Sequence, residues 1–172
     1  MRIAPIPPGT RPELAEQEAQ IAAARGRVSP LYQVLLNSPP LARGWEQMLS
    51  AIRNHNSIPA DLRELVILRV AILNGAPYEF DAHAPIARAA GVSEEVVAAT
   101  RVVPLRADAL FETRQRLVLE LADTMTRELV VPDSLYERVR REFGVQQQID
   151  LVATVAAYNM VSRFLVALEI GH

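Results

Sequence analysis

The sequence predicts an all-α protein of about eight or nine helices in a single compact domain. Apolar residues recur at helical spacing through most of the 172 residues. Prolines and glycines, 12 and 7 in number, interrupt these segments at positions typical of helix starts and ends. No segment reads as a strand, because the apolar run at residues 129–131 is too short. Half of the residues are hydrophobic, which is enough to build one core in a chain of this length.

The N-terminal region, residues 1–37, is predicted to be an extended arm followed by helices. The proline-rich stretch at residues 1–9 favours an extended path over the surface or across a neighbouring subunit. Thr10, followed three residues later by Glu13, has the pattern of a capping box and predicts a helix that ends near Gly26. A second, short helix is expected before residue 38.

The main helical domain is predicted over residues 38–172. Its first helix places Trp45 in the core. The helix after Pro59 is apolar nearly all the way round, which indicates a position inside the fold. A break at Asn74-Gly75 separates it from the next helix. Start signals for the later helices are found at Pro77, Ser93, Asp108, Pro132 and Gln146.

The last helix belongs to the longest apolar tract, residues 149–170. That length suggests a membrane span, but charged side chains such as Asp150 and Arg163 favour a helix that is buried or faces another subunit. The N-terminus has no apolar core of signal-peptide length, so we expect a cytoplasmic protein without membrane association. The core-facing stripe of the helix is predicted to be Val152, Val155, Ala156, Met160, Phe164 and Ala167.

Composition excludes several classes of chemistry. A formal charge of −2 gives no basic surface for nucleic acid. All 18 cationic residues are arginine, so neither a Schiff-base lysine nor a P-loop lysine is present. The chain has no cysteine, which excludes disulfides, thiol redox chemistry and cysteine-based zinc sites.

One stretch gathers titratable groups among apolar ones. Glu79 and His83 are four residues apart and share a helix face, and Glu64 lies in the apolar helix before them. His83 is the candidate general acid or base, with Glu79 holding its tautomer and a buried Glu64 acting as proton donor or relay. The alternative is a surface pair of Glu79 with His83, and a Glu64 bonded to an arginine such as Arg69.

Three further residues are candidates for binding a substrate. Asn159 and Arg163 share a face of the last helix, where the arginine can clamp a carboxylate, or instead neutralise a buried acid or bridge subunits. Tyr78 can hydrogen-bond a developing enolate or simply cover the core. We expect no metal site and no cofactor, because only three histidines exist and two of them, His55 and His172, stand outside this stretch.

These residues carry a family resemblance, strongest in Pro59 to Ala71 and in Tyr78-Glu79-Phe80-Asp81-Ala82-His83. The chain resembles the carboxymuconolactone decarboxylase family, which shares its all-α fold with the AhpD alkylhydroperoxidases, from about Ser38 to the C-terminus. In the peroxidase branch a Cys-x-x-Cys pair precedes the histidine. Ala76 and Glu79 occupy those two positions here, while Glu64 and His83 match the relay glutamate and the histidine.

The resemblance implies the thiol-free branch with a Tyr-Glu-(Trp/Phe)-x-x-His signature, and excludes a thiol peroxidase. It implies a cofactor-free lyase, a decarboxylase of the 4-carboxymuconolactone type, or an isomerase. The substrate would be a small carboxylated lactone or related organic acid. It also implies a homo-oligomer, as a dimer, trimer or hexamer. The alternative is a non-catalytic ligand-binding or assembly protein that kept the fold after losing the redox cysteines.

Overall fold

The structure is a computed structural model that describes residues 1–106 and 110–171. Within these ranges it contains nine α-helices and no strand, which confirms the all-α prediction. A short 3-10 helix, Pro12–Leu14, precedes the first of them. The helices are α1 (Ala15–Arg25), α2 (Pro30–Leu35), α3 (Pro39–Asn54), α4 (Ala60–Leu73), α5 (Pro77–Ala89), α6 (Glu94–Ala99), α7 (Thr113–Arg127), α8 (Asp133–Glu142) and α9 (Val145–Ala167).

Most helix boundaries follow the proline and glycine signals of the sequence. The helices α2, α3 and α5 each start at a proline, whose missing N–H costs nothing in the first turn. Gly26 ends α1 with a φ of 79°, a left-handed conformation that glycine adopts without strain. The hydroxyl of Ser93 accepts a hydrogen bond from the Val96 N–H at 3.3 Å, so the predicted cap of α6 is confirmed.

Two predicted helix starts are wrong. Thr10 does not cap a helix, because its hydroxyl donates to the carbonyl of Pro7 at 2.7 Å and so closes a turn before the helix. The helix expected from Asp108 begins at Thr113 instead, where the Gln115 side chain accepts from the Glu112 N–H at 3.1 Å. Asp108 itself lies outside the described residues.

The chain divides into two compact units. The first, unit 1, comprises Met1–His55 together with the C-terminal residues from Ala167, and the second, unit 2, comprises Asn56–Val166. In unit 1 the N-terminal segment lies against its own unit, since Ile6 is buried and its N–H donates to the carbonyl of Gln33 at 3.0 Å. The core of unit 1 contains Trp45, as predicted.

Unit 2 is built around α4. This helix packs against α5 and α7. Nine of its 14 residues are buried, so the prediction of an interior helix is confirmed. Its apolar side chains join a cluster that includes Phe80 from α5, Val97 from α6 and Leu119 from α7. Two polar side chains of α4, Glu64 and Arg69, are among its buried residues and so lie in the interior of unit 2, whereas Asp61 and Arg63 near its start are partly exposed.

The predicted core stripe of α9 is only partly right. Val155 is fully buried, but Ala156 and Ala167 are exposed and Met160 is 36% exposed. The buried face is instead Leu151, Thr154, Val155, Ala157, Tyr158, Val161, Ser162 and Leu165. A helix that is apolar all round does not reveal from sequence which face packs inward.

One helix, α9, is long and apolar enough to cross a membrane when judged by length and composition alone. Of its most apolar window, 44% is buried inside the protein. Core helices of other proteins meet the same criterion, so the observation does not place the chain in a membrane.

Candidate active site

The site is built on the turn between α4 and α5. The chain breaks at Asn74, and Gly75 takes a φ of 64°, which glycine tolerates and most residues do not. The N–H of Ala76 donates back to the carbonyl of Ala71 at 2.8 Å, and Pro77 then begins α5. This tight reversal lays α5 against α4, so that side chains on the facing sides of the two helices meet.

Glu64 and His83 meet across this helix pair. The Oε2 atom of Glu64 lies 2.7 Å from Nδ1 of His83. Glu64 is 1% exposed and His83 is 7% exposed, so water competes little for this hydrogen bond. When a carboxylate at that position accepts from an Nδ1–H, Nε2 is the basic nitrogen of the neutral ring.

The other ring nitrogen of His83, Nε2, faces a tyrosine of α9. The hydroxyl of Tyr158 lies 3.4 Å from Nε2, and the two rings pack edge to face with centroids 5.2 Å apart. Tyr158 is 2% exposed. Sequence reasoning did not single out Tyr158, although a tyrosine in an otherwise apolar helix was a usable signal, because a buried hydroxyl needs a polar partner.

The predicted pairing of Glu79 with His83 is not what the structure contains. His83 uses Nδ1 for Glu64, and neither carboxyl oxygen of Glu79 has a hydrogen-bond partner in the described part of the chain. Glu79 is nevertheless 2% exposed. Burial raises the pKa of Glu79 to about 8, against a smaller lowering effect of the nearby Ser162 hydroxyl. The carboxyl is therefore mostly neutral at pH 7.

A network of uncharged polar groups lies beside Glu79. The Ser162 hydroxyl donates to the carbonyl of Tyr158 and accepts from the Asn74 amide at 3.1 Å. That amide also donates to Asn159 Oδ1 at 3.0 Å, and the Asn159 amide donates to Thr126 Oγ1 at 2.9 Å. The network links the end of α4 to α7 and α9, and fixes the α9 face that carries Tyr158.

The three residues predicted to bind a substrate lie at different positions and differ in burial. Asn159 is half-buried in this network, and Arg163, one turn later on α9, is exposed. Tyr78 is half-buried and lies on another side of α5 from His83.

The predicted alternative in which Arg69 bonds Glu64 is not found in the described part of the chain. The arginine nearest that carboxylate is Arg63, with Nε 3.4 Å from Oε1.

Metal ligands are not gathered at this site. Among residues 1–106 and 110–171, no three His, Asp or Glu side chains lie together as a possible ligand set.

A separate cleft of about 520 Å³ opens in unit 1. It is lined by α1 and α3 residues that include Gln17, Gln20, Arg43 and Glu46. The carboxylate of Glu46 is already engaged by Arg25 at 2.9 Å and by the hydroxyl of Tyr32. The cleft holds none of the residues predicted to carry chemistry.

The raised pKa of Glu79 predicts a pH dependence of stability. Between pH 4.5 and about 8 the folded protein keeps a proton on Glu79 that the unfolded chain has released. The free energy of unfolding should therefore fall as pH rises through this window, by up to about 1 kcal/mol per pH unit from this group. Urea unfolding at several pH values, with Glu79→Gln beside the wild type, measures the effect.

In the Glu79→Gln variant the free energy of unfolding should fall less steeply with pH, because glutamine does not titrate and the contribution of Glu79 is lost. Glu120→Gln is the matched control, since its carboxylate pairs with Arg138 on the surface. Parallel curves for wild type and Glu79→Gln over this pH range would contradict the prediction.

The fold and the site together define a class of protein. The all-α fold is the one that the resemblance to AhpD-like proteins implied, and within it Glu64 meets His83, a contact that the sequence analysis did not predict. The sequence profile of the carboxymuconolactone decarboxylase family matches residues 39–124. The chain belongs to the carboxymuconolactone decarboxylase family.

Comparison with individual proteins agrees with this assignment. The uncharacterized protein YdfG of Bacillus subtilis (strain 168) is 31% identical over 118 residues, which are 66% of this chain and 77% of that protein. An uncharacterized peroxidase-related protein from Silicibacter sp. TM1040 superposes with a TM-score of 0.81 at 18% identity, covering 96% of this chain and 87% of that chain. The structural match at 18% identity supports the fold alone.

Two further structures have the same fold. One, from Agrobacterium tumefaciens, bears the name of the antioxidant defence protein AhpD and superposes with a TM-score of 0.73 at 22% identity, over 80% of this chain and 94% of that chain. The other is a variant of the debrominase Bmp8 in complex with 2,3,4-tribromopyrrole, with a TM-score of 0.80 at 16% identity, over 99% of this chain and 90% of that chain. At these identities the two structures support the fold of this chain and not its activity.

Proposed function

We propose that this protein is a cofactor-free acid/base enzyme, a lyase or isomerase acting on a small carboxylated lactone or related organic acid. The observation that supports this most is the 2.7 Å contact between Glu64 Oε2 and His83 Nδ1 in a buried setting. A carboxylate on Nδ1 fixes the ring orientation and raises the basicity of Nε2, the nitrogen left to exchange protons with a substrate.

In the decarboxylation version, the bond between the ring carbon and the substrate carboxylate breaks. Carbon dioxide leaves, and the electron pair moves into a conjugated carbonyl to give a dienolate. His83, protonated on Nε2, then delivers its proton to carbon, and a proton from water restores the imidazolium. In the isomerase version, His83 removes a proton from one carbon and returns it to another, so no co-reactant is needed.

The remaining assignments are part of the same proposal. Tyr78 is proposed as a substrate contact from its place in the family signature, and Asn159 and Arg163 are proposed from their shared face of α9. Arg163 is exposed on α9, so it would hold a substrate carboxylate only if a second copy in a homo-oligomer enclosed that face. We propose a cytoplasmic homo-oligomer. Without cysteine, the chain has no thiol for peroxide reduction or for other thiol chemistry.

The test is a panel of small carboxylated lactones, oxo acids and hydroxy acids. Each compound is incubated with the wild-type protein, and carbon dioxide release and proton exchange at carbon are followed. The proposal expects turnover or carbon–deuterium exchange in D2O for at least one member. Thermal stabilisation by panel members, with neither turnover nor exchange, would contradict it and favour the non-catalytic ligand-binding alternative.

A further inference from the structure

The Glu79 carboxyl is a buried titratable group of the site that the proton relay leaves unused. Both of its oxygens are shielded from water, and neither accepts a hydrogen bond of good geometry in the described ranges, although the Ser162 hydroxyl is near enough to lower the pKa of Glu79 slightly. Its neighbour Ser162 already gives its proton to the carbonyl of Tyr158. Buried polar groups in proteins are almost always paired, so an unpaired carboxyl beside a histidine indicates a partner that arrives from outside.

The position of Glu79 relative to His83 is fixed by two facing helices. Both side chains lie on one side of α5, one turn and about 6 Å apart along the axis. On α9, Tyr158 and Ser162 have the same spacing. His83 meets Tyr158, and Glu79 lies near Ser162, so the proton-transfer group and the unpaired carboxyl line the same seam.

The surroundings keep that carboxyl uncharged. The side chain that acts on it is the hydroxyl of Ser162, which accepts from the Asn74 amide, and neither of these groups carries a charge. Burial raises the pKa of Glu79 to about 8, so its O–H is present at neutral pH and can donate a hydrogen bond. A carboxylic acid held neutral by an apolar site is a strong donor towards an oxygen that gains negative charge.

We propose that Glu79 donates a hydrogen bond from its neutral carboxyl to a carbonyl oxygen of the substrate and stabilises the enolate that forms there. This rests on the proposed function and narrows the substrate class. The site takes oxo compounds or lactones whose carbonyl is conjugated with the reacting carbon. Saturated hydroxy acids without such a carbonyl are not substrates.

The electron balance of the step is simple. The bond from the reacting carbon to hydrogen or to the carboxylate breaks, and its electron pair moves through the conjugated system to the carbonyl oxygen. Glu79 keeps its proton and shortens its hydrogen bond as the charge grows. When His83 returns a proton to carbon, the electron pair moves back and the carbonyl is restored. No oxidant, reductant or metal takes part in this step.

The test uses a stable mimic of an enolate and needs no turnover. The probe is 3,4-dinitrophenol at about pH 6.5, where this acidic phenol is ionised and Glu79, with a pKa of about 8, is neutral. Dissociation constants are measured by absorbance for wild type, Glu79→Gln and Glu79→Leu. Glu18→Leu is the matched control, because Glu18 is also buried but lies in unit 1.

We expect the wild type to bind the phenolate. Binding by Glu79→Gln should be within a few-fold, because an amide N–H still donates. Glu79→Leu should bind about 10- to 100-fold more weakly, as expected for losing a hydrogen bond to a charged oxygen, and Glu18→Leu should bind like the wild type. No binding by the wild type, or equal binding by Glu79→Leu, would overturn the inference and leave the turnover test of the proposed function unaffected.

A second readout covers the case in which Glu79→Leu does not fold. Infrared spectra in D2O at about pH 6.5 should contain the carbonyl band of a neutral carboxyl, and Glu79→Gln should lose it. A wild-type spectrum without that band would overturn the inference.

Discussion

The His83→Gln variant is expected to lose turnover by about 10²- to 10⁴-fold while remaining folded. Glutamine fills a similar volume and can still hydrogen-bond Glu64, but it has no nitrogen that takes up and releases a proton near neutral pH. The loss should fall on kcat, because proton transfer belongs to the chemical step rather than to binding. The measurement is kcat and KM for the best panel substrate, with circular dichroism as the check on folding.

The chain offers a close control for this variant. His55 is exposed at the end of α3 in unit 1, and His55→Gln should keep wild-type rates. A folded His83→Gln protein with the same kcat as His55→Gln would remove His83 from the mechanism.

The largest effect on stability is expected at Arg69. This side chain is fully buried in unit 2, and its Nη2 lies 2.7 Å from Asp123 Oδ2. Its Nη1 donates to the carbonyls of Thr100 and Val102 at 2.8 and 2.7 Å. Arg69→Met should lower the free energy of unfolding by about 3 to 5 kcal/mol, because one carboxylate and two carbonyls then lose their donor.

An exposed pair provides the comparison for Arg69. Arg138 contacts Glu120 at 2.9 Å with both side chains largely accessible to solvent, so Arg138→Met should cost less than about 1 kcal/mol. Urea unfolding of the two variants measures the difference. Similar losses for both would show that burial does not determine the strength of these ion pairs here.

Much of the secondary structure could be predicted because it is encoded locally. Proline starts and glycine ends depend on backbone geometry within a few residues, which is why the start of α5 at Pro77 and the end of α1 before Gly26 followed from the sequence. The predicted helix cap at Thr10 was wrong for a related reason. Its hydroxyl had a competing local partner in Pro7, and spacing alone does not reveal which partner wins.

The sequence identified residues of the site, but it did not reveal which of them form a hydrogen bond with each other. Glu64 and His83 were recognisable from the sequence, yet their contact depends on how α4 and α5 are rotated about their axes. The same rotation leaves Glu79 without His83 as a partner, although both share a helix face. Tertiary packing sets this rotation, and helical spacing does not contain it.

The buried face of α9 could be predicted only in part, because its orientation also depends on tertiary packing. Apolar residues surround this helix, so the choice of Tyr158 and Ser162 as inward-facing residues came from packing against α5. A search for polar side chains at i and i+4 within apolar helices would have found this pair before the structure was known.

In the proposed mechanism, Glu64 holds His83 as the Nδ1–H tautomer, and Nε2, which faces Tyr158, exchanges protons with the substrate. Nitrogen-15 NMR of histidine-labelled protein tests it directly, and three histidines make the spectrum easy to assign by substitution. At a pH where His83 is neutral, we expect its proton on Nδ1 in the wild type, and a shift towards the Nε2–H form in Glu64→Gln, whose amide can donate to Nδ1. A wild-type His83 that carries its proton on Nε2 would contradict the account.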